Sequence, residues 1–218
     1  MNVRMVSCSV GVMEFAALTS QDLIASTARV SNPANQMNME TAPKLIAYLI
    51  KNKHWSPFEM AHMTVEIKTS RAIAQQILRH RSFSFQEFSQ RYATATNFIT
   101  YPARRQDNKN RQNSIDDMSE DDKKWFLYAQ DDIQQRCSFV YQEALSRGIA
   151  KEQARFLLPL STETTLYMCG SARSWIHYLE LRCANGTQKE HKDIADEIKA
   201  IFSVEFPDVA EALGWQSS

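Results

Sequence analysis

The stretch RHRSFSFQEFSQRY, residues 79–92, sets Arg79, His80 and Arg81 in a row and follows them with three phenylalanines, three serines, Glu87 and Arg91. Side chains of these types can do three kinds of work. They can end an amphipathic helix with solvated charges, grip the phosphates and stack on the bases of a single-stranded nucleic acid, or hold a small anionic ligand that carries a flat ring. A solvated surface has no need of the phenylalanines, and a core does not accept unpaired arginines. Two further arginines sit among apolar residues, Arg155 in QARFLLPLS (153–161) and Arg182 in HYLELR (177–182). A buried cation is costly without an acidic partner or a ligand, and Glu87, Glu152 and Glu180 are the internal partners nearest in sequence. KHWSPFEM (53–60) groups His54, Trp55, Ser56 and Glu59 around a proline, a set that serves packing as readily as chemistry.

Composition narrows the choice. The 25 basic residues are balanced by 25 acidic ones, whereas bulk binders of nucleic acid or membrane usually carry a basic excess. Only five glycines occur, at 11, 148, 170, 186 and 214, and none are spaced as GxGxxG or GxxxxGK. A nucleotide would therefore have to be held by side chains, with arginine the type best suited to phosphate. Cys8, Cys137, Cys169 and Cys183 form no CxxC pair and have no histidines at zinc spacing. They are expected to be reduced thiols, with no metal site and a cytoplasmic location. No apolar run approaches the length of a membrane span, and MNVRMVSCSVGVMEFAAL reads as a first strand or two rather than a signal peptide. The 218 residues are expected to form one domain, 1–218.

The elements that must position these side chains are mostly helical. TSQDLIASTARVS (19–31) predicts a capped helix, and TAPKLIAYLIKNKHW (41–55) a second with Thr41 as N-cap and Pro43 in its first turn. HMTVEIKTS (62–70) alternates Met63, Val65 and Ile67 with polar residues, as a half-buried strand does. A helix capped by Thr69 or Ser70 follows, with Ile73, Ile77 and Leu78 inward, so Arg79, His80 and Arg81 stand at its end. Residues 104–124 hold only Ile115 and Met118 as apolar residues and predict a mobile polar loop. Ser119 with Asp122 opens a long helix through Leu145, closed by Gly148. A short helix KEQARFLL stops before Pro159, STETTLYMCG (161–170) is strand-like, and two last helices flank an Asn185-Gly186 turn. This pattern predicts an α+β domain with an antiparallel sheet rather than a doubly wound one.

Arg79-His80-Arg81 followed at seven residues by Ser89 resembles the signature of the flavin-dependent thymidylate synthases. HWSPFE upstream, SQRY, ARFLLPLS and LELR downstream fall in that family's order and approximate spacing, so the likeness spans nearly the whole chain. It implies a twisted, mainly antiparallel sheet flanked by helices, unrelated to the Rossmann fold. It also implies conversion of dUMP to dTMP, with 5,10-methylenetetrahydrofolate as carbon donor and NADPH-reduced FAD as hydride source. Homotetramers with active sites shared between subunits would follow, with no stable nucleic-acid or membrane partner.

Carried over position by position, the resemblance implies dUMP contacts at Gln76, Arg79, Glu87, Phe88, Ser89, Gln90, Arg91, Arg155 and Arg182. It implies FAD contacts at His54, Ser56, Arg79, His80, Arg81, Glu87, Ser171, Arg173, His177 and Gln188. Arg182 would stand at the reacting base, His54 near the folate route, and Ser89 would position dUMP as a hydrogen-bond donor. Ser171 and His177 occupy places where other members carry Asn, and Gly186 one where some carry His. The bottom-up alternative to all of this is a single-stranded nucleic-acid binder using residues 79–92.

Overall fold

Alternation of Met63, Val65 and Ile67 puts three large apolar side chains on one face of a strand, and in the structure all three are fully buried. That strand belongs to a computed structural model that describes residues 2–95 and 97–215. The element order is β1 (Asn2–Cys8), α1 (Ser20–Ala28), α2 (Ala42–Lys51), β2 (His62–Ser70), α3 (Arg71–Ile77), β3 (Ser84–Glu87), then β4 (Arg105–Gln106) and β5 (Ser114–Ile115). There follow α4 (Glu120–Ser146), α5 (Lys151–Ala154), β6 (Glu163–Ser171), α6 (Ala172–Arg182), α7 (Lys189–Glu205) and α8 (Pro207–Ala212). A four-stranded sheet runs β1-β2-β6-β3 with every neighbour antiparallel, the mixed architecture that the element pattern predicts.

The central pair β2–β6 decides where the site lies. Its register matches His62 with Ser171 and Ser70 with Glu163, so each strand begins where the other ends. Each also passes into a helix with no intervening loop, α3 after Ser70 and α6 after Ser171. The two helices therefore start at opposite ends of the strand pair and run back over it, and their C-terminal ends meet. Beneath them Val65 faces Met168 and Ile67 faces Leu166 across the register. Trp175 of α6, fully buried, donates its indole N–H to the Met63 carbonyl at 3.0 Å and ties helix to sheet. The core extends to Ile194, Ile198 and Phe202 on one face of α7, spaced by a helical turn or its double.

Several expectations need correction. Thr41 precedes α2 but makes no side-chain cap; its hydroxyl accepts instead from the buried Arg29 at 2.8 Å. Ser70 likewise caps α3 only by position, because its hydroxyl accepts from Tyr101 Oη at 2.6 Å. Residues 104–124 are not a featureless loop. Residues 105–115 form the β4–β5 hairpin, stapled by Arg104 to Ser114 at 2.8 Å and by Arg105 to Asp117 at 2.9 Å. The four-residue β3 and the terminal α8 were not foreseen. By contrast, Thr19 and Asp22 form the capping box of α1, Ser119 caps the 27-residue α4, and Gly148 closes it with φ +81°.

Candidate functional site

Where α3 and α6 meet, Arg182 Nε donates to His80 Nε2 at 2.8 Å. A guanidinium only donates, so His80 Nε2 must be bare and its proton sits on Nδ1. Burial, then the positive charge of Arg182 and His177 nearby, lowers the His80 pKa from 6.5 to about 4, so the ring is neutral. The ring also stands edge-on to Tyr178, with centroids 4.8 Å apart. This contact is the correction to Glu180 as partner of Arg182: Glu180 is exposed on the opposite side, and the histidine orients the guanidinium instead. The two terminal nitrogens of Arg182 have no hydrogen-bond partner among the described residues.

The same helix ends carry a second set of polar side chains. Tyr178 Oη lies 3.0 Å from His191 Nε2, and His191 Nδ1 lies 3.4 Å from Gln76 Oε1. Gln76 Nε2 donates to Gln188 Oε1 at 2.6 Å, and Gln188 Nε2 to the Glu190 carboxylate at 2.8 Å. Burial, with Arg182 and His80 adding to it, pushes His191 down to about 3. Sequence reasoning missed Tyr178, Glu190 and His191. His191 shares the face of α7 that carries Ile194 and Ile198, and periodicity alone assigns such a residue to the core.

A second cluster forms where α3 begins. Glu87 accepts from Arg71 at 3.0 Å and from Thr164 Oγ1 at 2.9 Å, so its partner is Arg71 rather than the cations of 79–91. About 9 Å of helix axis, at 1.5 Å per residue, separates Arg71 from the far end of α3. Beside it lies a cavity of about 270 Å³ lined by Arg71, Gln90, Arg155, Phe156, Leu158, Pro159 and Leu160. Gln90 is buried, and its Nε2 has no hydrogen-bond partner among the described residues. A buried orphan donor beside two guanidinium groups is the chemistry of an anion or carbonyl site. Arg155 donates only to the Glu152 carbonyl, at 3.2 Å, and Arg91 pairs with Glu152 at 3.3 Å in an exposed ion pair. Ser89 Oγ accepts from the Arg91 amide at 3.4 Å, and Phe88 donates its amide to the Thr165 carbonyl at 2.9 Å.

The third group surrounds a cavity of about 730 Å³ lined by Lys53, Trp55, Glu59, Ser82, Arg173, Ser174, His177 and Glu180, among others, a size suited to a cofactor or drug-sized ligand. Glu59 organises it, accepting from Ser171 Oγ at 2.5 Å and from Arg173 at 2.9 Å. His54 and Ser56 are exposed on the neighbouring turn, His54 edge-on to Tyr48 at 5.9 Å. Arg79 and Arg81 are exposed and form no ion pair or side-chain hydrogen bond among the described residues. The predicted flavin residues thus gather along α6, the end of α3 and the 54–56 turn, except Glu87, which the structure places with Arg71 where α3 begins. The predicted nucleotide residues divide between that end (Gln76, Arg79, Arg182) and the Gln90–Arg155 cavity. Phe83 is buried against Trp175 at 4.6 Å and Phe85 is half-buried, so these rings are not available as a base-stacking platform.

A family profile described as thymidylate synthase complementing protein matches residues 15–208. The chain is 54% identical over 216 residues to the probable flavin-dependent thymidylate synthase of Paramecium bursaria Chlorella virus 1, spanning 99% of this chain and 100% of that protein. It is 55% identical over 217 residues to the flavin-dependent thymidylate synthase of a Synechocystis species, with the same coverage. Among solved structures, the UMP/dUMP methylase of Streptomyces cacaoi bound with 5-Br dUMP superposes with a TM-score of 0.84 at 26% identity, covering 98% of this chain and 94% of that one.

Proposed function

The chain belongs to the flavin-dependent thymidylate synthases, and from that premise we propose that it methylates dUMP reductively to dTMP. In this reading 5,10-methylenetetrahydrofolate gives the carbon and NADPH the reducing equivalents; tetrahydrofolate and NADP+ leave with dTMP. Bound FAD supplies the hydride that brings the transferred carbon to the methyl level; the protein supplies alignment and electrostatics.

The observation that carries the reading is the half-buried Arg182 guanidinium, fixed through Nε by His80 with its terminal nitrogens free. For C5 of the uracil to attack the carbon donor the ring must first become enolate-like, with negative charge on a ring carbonyl oxygen. A preoriented cation in a water-poor site stabilises that charge at little reorganisation cost. His80, neutral and protonated on Nδ1, is left with one N–H for the flavin side. The unpaired Arg79 and Arg81 suit a diphosphate, and Ser171, Arg173, His177, Gln188, His54 and Ser56 complete the cofactor set. The orphan Gln90 donor, Arg155 and Arg91 hold the nucleotide with Glu87, Phe88 and Ser89, and Gln76 reaches it from the helix end.

Division of the nucleotide residues between two places on one protomer supports a shared site in a homotetramer, the cavity of one copy facing the helix ends of another. Exposed aromatic residues of α4, Trp125, Tyr128 and Phe139, provide apolar surface for such contacts. Residues 1–218 act as one catalytic domain in this reading. Four free cysteines suit a reducing cytoplasm, and among the described residues no helix is long and apolar enough to cross a membrane. The test is Arg182→Ala in the flavin-loaded protein. Loss of one charge-stabilising donor should lower dTMP formation about 100- to 1000-fold while dUMP binding changes much less. Unaltered turnover would remove Arg182 from the reaction.

A further inference from the structure

Five polar side chains join in a line at the meeting of α3, α6 and α7: Tyr178, His191, Gln76, Gln188 and Glu190. Glu190 and His191 are both buried, and burial makes an unmatched polar group costly. The direction of the line follows from its last member. An ionised carboxylate only accepts, so Gln188 must turn its amide nitrogen to Glu190 and its oxygen to Gln76. Gln76 must then turn its nitrogen to Gln188 and its oxygen to His191. His191 must carry its proton on Nδ1, and its bare Nε2 accepts from the Tyr178 hydroxyl, which burial keeps protonated. Each choice forces the next, and every donor points towards Glu190.

We propose that Glu190 and His191 are positioning residues for the nucleotide, holding the Gln76 amide in the one orientation that leaves a free N–H for an acceptor oxygen of dUMP. The inference rests on the reading of Gln76 as a dUMP contact. Gln76 has two amide hydrogens; Gln188 takes one, and the other is available from a half-buried side chain beside His80 and Arg182. With the amide reversed, the oxygen would face the ligand and repel the same acceptor. An isolated glutamine can adopt either orientation, and the line removes that freedom. A second proton on His191 would sit on Nε2 and break only the Tyr178 contact, and burial with the charges of Arg182 and His80 keeps its pKa about 3. Neither Glu190 nor His191 need touch substrate or flavin.

A double-mutant cycle on the FAD-loaded enzyme tests this, pairing His191→Leu with Gln76→Ala and reading KM for dUMP and kcat separately. His191→Leu should raise KM for dUMP about tenfold, the scale of one hydrogen bond, with kcat within about twofold. The same change in the Gln76→Ala background should add nothing. His191→Asn, which keeps a donor near the Nδ1 position, should recover most of the loss. Additive effects of the two substitutions, or a fall in kcat at constant KM, would overturn the inference while leaving Gln76 as a dUMP contact. Should Gln76→Ala alone leave KM unchanged, the reading of Gln76 itself falls and the inference with it. If His191→Leu does not fold, the near-isosteric Glu190→Gln enters the same cycle: it lets the line reverse, and the same outcomes decide.

Discussion

Arg182 Nε lies 2.8 Å from His80 Nε2, Arg182 ending α6 and His80 lying just past α3, two helices that start at opposite ends of one strand pair. That contact sets the tautomer of the histidine, the orientation of the guanidinium and the charge of the site together. A cation bound to a neutral imidazole keeps its full charge for a ligand, whereas the same cation in an ion pair would be partly neutralised.

The first consequence is a pH dependence. His80 and His191 are held neutral in the folded protein at pKa values of about 4 and about 3, against an ordinary 6.5. The unfolded chain binds these protons more readily, so stability is full above pH 6.5 and is lost as pH falls from there towards 4 for His80 and towards 3 for His191. Thermal midpoints should decline across that window, and His80→Gln should flatten the decline. NMR titration should show His80 protonating nearer 6.5 in Arg182→Met, where a repelling charge is gone. A wild-type His80 titrating at 6.5 would refute the contact.

Gly170 makes a separate prediction. A Cβ built on it would fall 2.4 Å from Cδ1 of Phe83, whose ring packs on Trp175 under the site. Gly170→Ala should push that ring outward and cost about 1–3 kcal/mol, as overpacking does. Urea unfolding should show a lower midpoint at unchanged slope, with weaker flavin retention. An unchanged midpoint would mean that Phe83 is free to move.

Gln90 separates stability from function. Its buried Nε2 has no partner among the described residues, so Gln90→Leu should leave the melting temperature equal or higher. The same substitution should weaken dUMP binding by roughly 1–3 kcal/mol, the worth of a buried donor left unmade. A destabilised variant that still binds dUMP normally would contradict both halves.

Ser89 is a different case, because it closes the signature and invites the role of nucleophile. Its hydroxyl accepts from the Arg91 amide at 3.4 Å, and no histidine bonds to it among the described residues. A serine without an adjacent base is a poor nucleophile. Ser89→Ala should therefore keep measurable dTMP synthesis with weaker dUMP binding, and Ser89→Cys should bring no gain. Abolished synthesis with FAD and dUMP still bound normally would restore the covalent role.

What could be read before the fold was known follows from where the information lies. β2 was legible because Met63, Val65 and Ile67 alternate with polar residues, and its end because the alternation gives way at Ser70 to the helical spacing of Ile73 and Ile77. The long α4 was legible from Ser119, Asp122 and Gly148. β3 was hidden because four residues carry too little periodicity, and its pairing is entirely with the distant β6. The β4–β5 hairpin was hidden because polar side chains such as Arg104 and Arg105, not an apolar face, hold it. In the site, arginines in apolar surroundings were visible in one dimension; their partners were not. That Arg182 meets His80 depends on helices about 100 residues apart in sequence ending at one end of the sheet, and that Gln90 is left without a partner depends on the cavity it shares with Arg71 and Arg155 where α3 begins.

Reductive methylation leaves its mark on the oxidation state of the folate product. Purified protein, loaded with FAD, is given dUMP, 5,10-methylenetetrahydrofolate and NADPH without oxygen, and nucleotide and folate products are quantified together. One tetrahydrofolate and one NADP+ are expected for each dTMP, and no dTMP when either FAD or NADPH is withheld. Flavin-loaded, dUMP-binding protein that makes no dTMP, or dTMP accompanied by dihydrofolate, would contradict reductive methylation.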